Sequence, residues 1–161
     1  MKLKEAIDMP TLYVLVGVPG SGKSTTVKKL QSSNPDTVVV CPDEYRKKLG
    51  GTYNYFKQDK SIWGNLCPTD VNDALSKGKN VIFDATNVSE KRRKSILQWA
   101  KVPTKKIAVV ADVDVATAKK QNKMRDPDKV VPDHVIDNMA KSFTYPTESE
   151  GFDEILNANE I

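Results

Sequence analysis

Leu12-Tyr13-Val14-Leu15-Val16-Gly17-Val18-Pro19-Gly20-Ser21-Gly22-Lys23-Ser24 decides the fold. The first five residues are an unbroken apolar run, and a strand apolar on both faces belongs inside a buried parallel sheet. Gly17 to Ser24 then fit G-x-x-x-x-G-K-[ST] at every fixed position, in the strand–turn–helix setting that this pattern requires. Glycines let the backbone wrap closely round a phosphate and aim its N–H groups inward, at the positive end of the following helix. Gly17, Pro19, Gly20, Ser21, Gly22, Lys23, Ser24 and Thr25 are therefore read as a phosphate-binding loop for ATP. Lys23 supplies a cation to the β- and γ-phosphates, and the Ser24 hydroxyl is a ligand for Mg²⁺. The loop alone leaves open whether ATP is a phosphate donor, a fuel or a switch.

Similar apolar runs recur at Thr37–Val40, Asn80–Phe83 and Ile107–Ala111, with a weaker fifth at Asp153–Leu156. Helical patterns lie between them, at Ser24–Gln31, Asp43–Leu49, Thr69–Ser76, Ser89–Trp99, Val115–Lys123 and Asp133–Phe143. Residues 1–9 carry no strong pattern and read as a short helix or a frayed lead-in. Strands alternating with helices predict an α/β three-layer sandwich around a central parallel sheet of about five strands, joined by right-handed crossovers. With no repeat or linker, residues 1–161 read as one domain.

Composition narrows the setting. The 25 Lys and Arg exceed the 21 Asp and Glu, a net charge of +4 that permits a polyanionic partner without demanding one. No window is apolar enough to span a membrane. Met1-Lys2-Leu3-Lys4-Glu5 leads into no apolar core, so no secretory signal is expected. Cys41 and Cys67 suit two reduced thiols better than a disulfide framework. The expected location is the cytoplasm, the host's if the protein is viral. Nothing in the sequence specifies an oligomeric state.

The candidate chemistry lies where strands end. Pro42-Asp43-Glu44-Tyr45-Arg46 follows the second run, at the carboxyl edge where open α/β sheets bind ligands. Asp43 has two readings: a helix cap, or the acceptor of a proton from a hydroxyl attacking the γ-phosphate. Arg46 shares its helical face and is either exposed or holds an anionic group of the same substrate. The third run ends in Asp84-Ala85-Thr86-Asn87, which places Asp84 as a Mg²⁺ partner through water. Thr86 and Asn87 are substrate contacts or caps of the next helix. Residues 118–132 form a basic, proline-broken lid, mobile in the expected fold, whose single arginine, Arg125, is the candidate for charge on the transferring group.

Taken in register, GVPGSGKST, PDEYRKKL, NVIFDATN with its downstream Arg92-Arg93, and Lys123-Met124-Arg125-Asp126 with Val131–Met139 resemble the kinase domain of the bacteriophage polynucleotide kinases. More broadly they are similar to the polynucleotide kinase-like group of P-loop kinases. The resemblance covers residues 11–156 and implies transfer of the γ-phosphate of ATP to a 5′-hydroxyl of DNA or RNA. It implies Asp43 as general base, Arg46 on the acceptor's phosphate, Arg125 on the donor phosphates, and Lys23, Ser24 and Asp84 around nucleotide and Mg²⁺. No DxDGT-like motif follows, so a 3′-phosphatase activity is not expected. Gly50–Cys67 matches the group loosely, and its aromatics Tyr53, Tyr55, Phe56 and Trp63 are divided between base stacking and core packing. Other readings are a kinase for a modified-base, nucleoside or small-molecule hydroxyl, and, from another class, a P-loop ATPase or switch module acting with a partner. Against the latter, no Gln or Glu sits in a recognisable switch loop to activate water.

Overall fold

Each of the five apolar runs becomes a strand of one sheet. In the computed structural model, which describes residues 9–161, these are β1 (Thr11–Val16), β2 (Val38–Val40), β3 (Val81–Phe83), β4 (Lys105–Val110) and β5 (Glu154–Asn157). All are parallel, in the order β2-β3-β1-β4-β5. The lead-in expected over residues 1–9 lies, except for Met9, outside the described residues. Strand β4 begins at Lys105, two residues before the apolar run, because Thr11 and Leu12 pair with Lys105 and Lys106. Pairing, not hydrophobicity, sets that boundary.

Period-two alternation divides the core into layers. Leu12, Val14, Phe83 and Ala108 pack on one face of the sheet with α3 (Cys67–Ser76) and α4 (Glu90–Leu97). Leu15, Ile82 and Val109 pack on the other with Leu30 of α1 (Lys23–Ser33). A third cluster joins Val18 of the glycine-rich loop to Ala118 of α5 (Val115–Asn122) and Ile136 of α6 (Asp133–Ser142). Through it the hydrophobic effect holds the lid helices against the loop that they flank. Helix α2 (Pro42–Gly50) leaves the carboxyl end of β2.

Gly50–Cys67 departs from expectation. A helical turn at Asp59–Ser61 and a π-helical turn at Ile62–Leu66 run directly into α3. Gly64 and Pro68 hid this stretch, because both are poor helix residues in the sequence pattern. Trp63 meets Phe83 edge-on at 5.5 Å and Trp99 at 6.3 Å, and the Arg92 guanidinium lies 3.9 Å from its ring centroid. It packs half-buried against the core. Tyr55 fits against Gly50, where a Cβ would stand 2.0 Å from its ring.

Arg93 is fully buried. Its Nε and Nη2 donate to the Glu150 carboxylate at 2.7 and 3.1 Å, and Nη1 donates to the Asn87 carbonyl at 3.0 Å. Removing one partner of such a pair strands the other charge away from water. Glu150→Ala is therefore expected to destabilise the fold by about 3–5 kcal/mol, read by chemical denaturation. A loss below about 1 kcal/mol would show that the pair behaves as a surface one.

Candidate active site

The phosphate loop fills the gap between β1 and α1. Gly17 N–H donates to the Thr86 carbonyl at 2.9 Å, joining the ends of β1 and β3. Gly20 has φ +83°, and a Cβ there would stand 2.1 Å from the Ala118 carbonyl oxygen. Only glycine meets both demands. Gly22 (φ +95°) occupies the cap position of α1 without a side-chain cap, and the first turn of α1 carries no acidic residue. The amides of that turn are left for an anion, which the helix dipole favours. Ser24 and Thr25 are exposed beside them.

Lys23 folds its ammonium over the loop, donating to the Gly17 and Val18 carbonyls at 2.8 Å each. Burial pulls its pKa down to about 8, opposed by Asp84 and Asp43 and reinforced by Arg125. Burial likewise raises the Asp84 carboxyl, with Lys23 opposing and Asp43 adding to the shift. Asp84, Arg125 and Asp43 thus act electrostatically on Lys23, and Lys23, Asp43 and Arg125 on Asp84, at the carboxyl edge of the sheet. Cys41 stands there too, its thiol pushed up to about 12 chiefly by burial, which keeps it protonated and unreactive. An open groove of about 640 Å³, lined by Trp63, Asn72, Ser95 and Trp99 among others, contains none of these residues.

Asp43 is not the cap of its helix. Cys41 holds the cap position of α2, and Asp43 lies in the first turn with its carboxylate turned to Arg46. Arg46 Nη1 donates to Asp43 Oδ1 at 2.7 Å, while Nε and Nη2 donate to the two oxygens of Asp59 at 2.9 and 2.7 Å. The exposed Phe56 ring lies 4.9 Å from the guanidinium. Arg46 is thus fixed in advance, with three of its five N–H donors engaged and two left. Asp59, thirteen residues on, was not visible as a site residue, because nothing local in the sequence links it to Arg46.

Thr86 and Asn87 stand where the end of β3 meets the phosphate loop. Thr86 meets the loop through its backbone carbonyl. Asn87 is buried, in the left-handed region at φ +47°, and its Nδ2 donates to the Leu15 carbonyl at 2.7 Å. It braces β1 behind the loop through Nδ2, while its Oδ1 is buried without a partner among the described residues. Neither caps α4; Ser89 does, accepting from Arg92 N–H at 3.2 Å.

In the lid, Asn122 is buried and closes the loop that carries Arg125. Its side chain exchanges bonds with the Val131 backbone, Nδ2 to oxygen at 2.8 Å and Oδ1 from N–H at 3.1 Å. A single buried amide thereby holds both ends of residues 122–131 together, a role that a polar residue in a basic stretch does not announce.

The donor set suits Mg·ATP. One hydroxyl and one carboxylate, with phosphates completing the shell, match Mg²⁺, which keeps several waters. Among the described residues no group of three His, Cys, Asp or Glu forms a protein cage for a metal, and no helix is long and apolar enough to cross a membrane.

Known proteins share this frame. The 6-phosphofructo-2-kinase/fructose-2,6-bisphosphatase 3 of Homo sapiens is 34% identical over 108 residues, covering 57% of this chain and 21% of that protein. The chain spans about a fifth of the length of the first curated relatives it matches. A chain of the Pnkp1/Rnl/Hen1 RNA repair complex superimposes with a TM-score of 0.73 at 26% identity, over 83% of this chain and 44% of that one. A fungal RNA kinase shares the fold, with a TM-score of 0.59 at 16% identity, over 92% and 74% of the two chains. A family model described as an AAA domain matches residues 12–146. With five parallel strands behind a phosphate loop the chain has the P-loop kinase fold, and it belongs to that AAA-domain family.

Proposed function

We propose that the chain transfers the γ-phosphate of ATP to the 5′-hydroxyl of a polynucleotide. The observation that carries this reading is the pairing of Asp43 with an Arg46 that is already held in place. Asp43 accepts the proton as the hydroxyl attacks, and the two remaining N–H donors of Arg46 take the phosphate on the 3′ side of the same nucleotide. An arginine immobilised before binding loses little further entropy when it grips an anion. Lys23 and Arg125 hold charge on the donor phosphates while the lid keeps water out. Ser24, and Asp84 through water, would hold Mg²⁺, which neutralises charge on those phosphates when bound.

The likeness to the RNA repair complex supports this choice of acceptor. The 6-phosphofructo-2-kinase relatives support a second reading, a sugar phosphate as acceptor. Its phosphate also suits Arg46. The exposed Phe56 against Arg46 favours a base-bearing acceptor, because aromatic faces at nucleic-acid sites stack bases at about 1–3 kcal/mol each.

Arg46→Ala is expected to raise the Michaelis constant for oligonucleotide acceptors by about 10²-fold, the loss of a charge-assisted contact, and to leave ATP affinity unchanged. Steady-state kinetics with each substrate varied in turn reads both. Unchanged oligonucleotide kinetics in the folded variant would remove the acceptor role of Arg46.

A further inference from the structure

Asp128 lies in the lid, three residues beyond Arg125, yet its carboxylate is bound to the opposite wall. Its Oδ1 accepts Thr52 Oγ1 at 2.7 Å, and its Oδ2 accepts Tyr53 N–H at 3.2 Å and Lys47 Nζ at 3.4 Å. The Asp128 carbonyl accepts Asn54 Nδ2 at 3.4 Å. Lys129 follows, with its ammonium 4.7 Å from the Tyr53 ring centroid and 4.0 Å from the Glu44 carboxylate. The Thr52 hydroxyl first, then the Tyr53 amide, hold the Asp128 carboxyl below its ordinary range.

An exposed ion pair such as Lys47–Asp128 contributes little by itself. This contact differs because a hydroxyl and a backbone amide converge on one carboxylate from a segment some 75 residues away in sequence. That segment begins where α2 ends, and α2 carries Asp43 and Arg46. The loop bearing Arg125 is therefore pinned twice, at its base by Asn122 and further along by Asp128, with Arg125 between the two pins. An arginine on a loop held only at its base would sweep a wide volume. Held at both points, it is confined near the phosphate loop, because Arg125 Nη1 donates to Asn122 Oδ1 at 3.5 Å and the Asn122 backbone packs against Gly20.

We propose that Asp128 is a positioning residue for Arg125, latching the lid to Thr52 and Tyr53 so that the arginine stands over the phosphate loop while α2 presents the acceptor. The inference rests on the phosphotransfer reading but not on the identity of the acceptor.

The test is a double-mutant cycle of Asp128→Ala and Arg125→Ala, measured as kcat on whichever acceptor the wild type phosphorylates. Asp128→Ala is expected to lower kcat by up to about 10²-fold, the scale of a misplaced catalytic group. In the Arg125→Ala background the same change should alter kcat by less than about threefold, because two residues acting as one unit are not additive. Thr52→Val, which removes the partner hydroxyl from the other side, should reproduce the direction of the effect and its dependence on Arg125. It also carries the cycle if Asp128→Ala does not fold. Additive losses, or a folded Asp128→Ala with wild-type kcat, would overturn the latch. A wild type that phosphorylates no acceptor would instead overturn the phosphotransfer reading on which the latch rests.

Discussion

Lys23→Met is expected to abolish phosphoryl transfer and, without nucleotide, to stabilise the folded chain at neutral pH. The catalytic loss follows from removing the cation that donates to the phosphate-loop carbonyls of Gly17 and Val18, and should reach about 10³-fold, the scale of deleting a preorganised electrostatic contact. The gain in stability follows from burial. With its pKa lowered to about 8, Lys23 binds its proton less tightly in the folded than in the unfolded chain. The unfolded state therefore holds more protons between about pH 8 and the ordinary lysine value, and stability rises with pH across that window. Below pH 8 the penalty of the buried charge is fully present; above pH 10.5 it is gone. The advantage of Lys23→Met in thermal midpoint should accordingly be largest at pH 7, shrink above about pH 8 and vanish only above pH 10.5. A folded Lys23→Met with near-normal turnover would refute the loop assignment. A midpoint below that of the wild type at pH 7 would show that the bonds to the Gly17 and Val18 carbonyls outweigh burial.

Asp43→Asn should lower kcat by about 10²–10⁴-fold while leaving ATP affinity unchanged, because the amide keeps the shape and loses the proton acceptor. The fold gives this substitution a clean reading. Asp43 makes no cap bond, so the variant forfeits no capping energy, and Arg46 keeps its two bonds to Asp59. Thermal unfolding and single-turnover transfer, measured together, separate the outcomes. Unchanged turnover per folded molecule would place the base elsewhere.

Much of this was legible in the sequence because it is local. The loop pattern and the apolar runs each act within a few residues, and the sheet follows from them. The parts that escaped are held across long separations or by irregular backbone. Asp59 meets Arg46 from a short helical turn that runs on into a π-helical one, which no periodicity describes. Asp128 meets Thr52, and Arg93 meets Glu150, only once the sheet has formed. Asn87, read as a substrate contact or a helix cap, also donates its amide to the Leu15 carbonyl from a left-handed backbone, a bond across 72 residues that no local pattern marks.

The central claim is that the chain is a 5′-hydroxyl kinase for polynucleotides, and transfer of label from γ-labelled ATP tests it directly. The panel comprises 5′-hydroxyl DNA and RNA oligonucleotides, nucleosides with and without a 3′-phosphate, and sugar phosphates. The account predicts that label appears at the 5′ ends of oligonucleotides and on 3′-phosphorylated nucleosides, with Mg²⁺ required and added salt weakening the longer acceptors most. Preferential labelling of sugar phosphates, or of nucleosides lacking any 3′-phosphate, would contradict it.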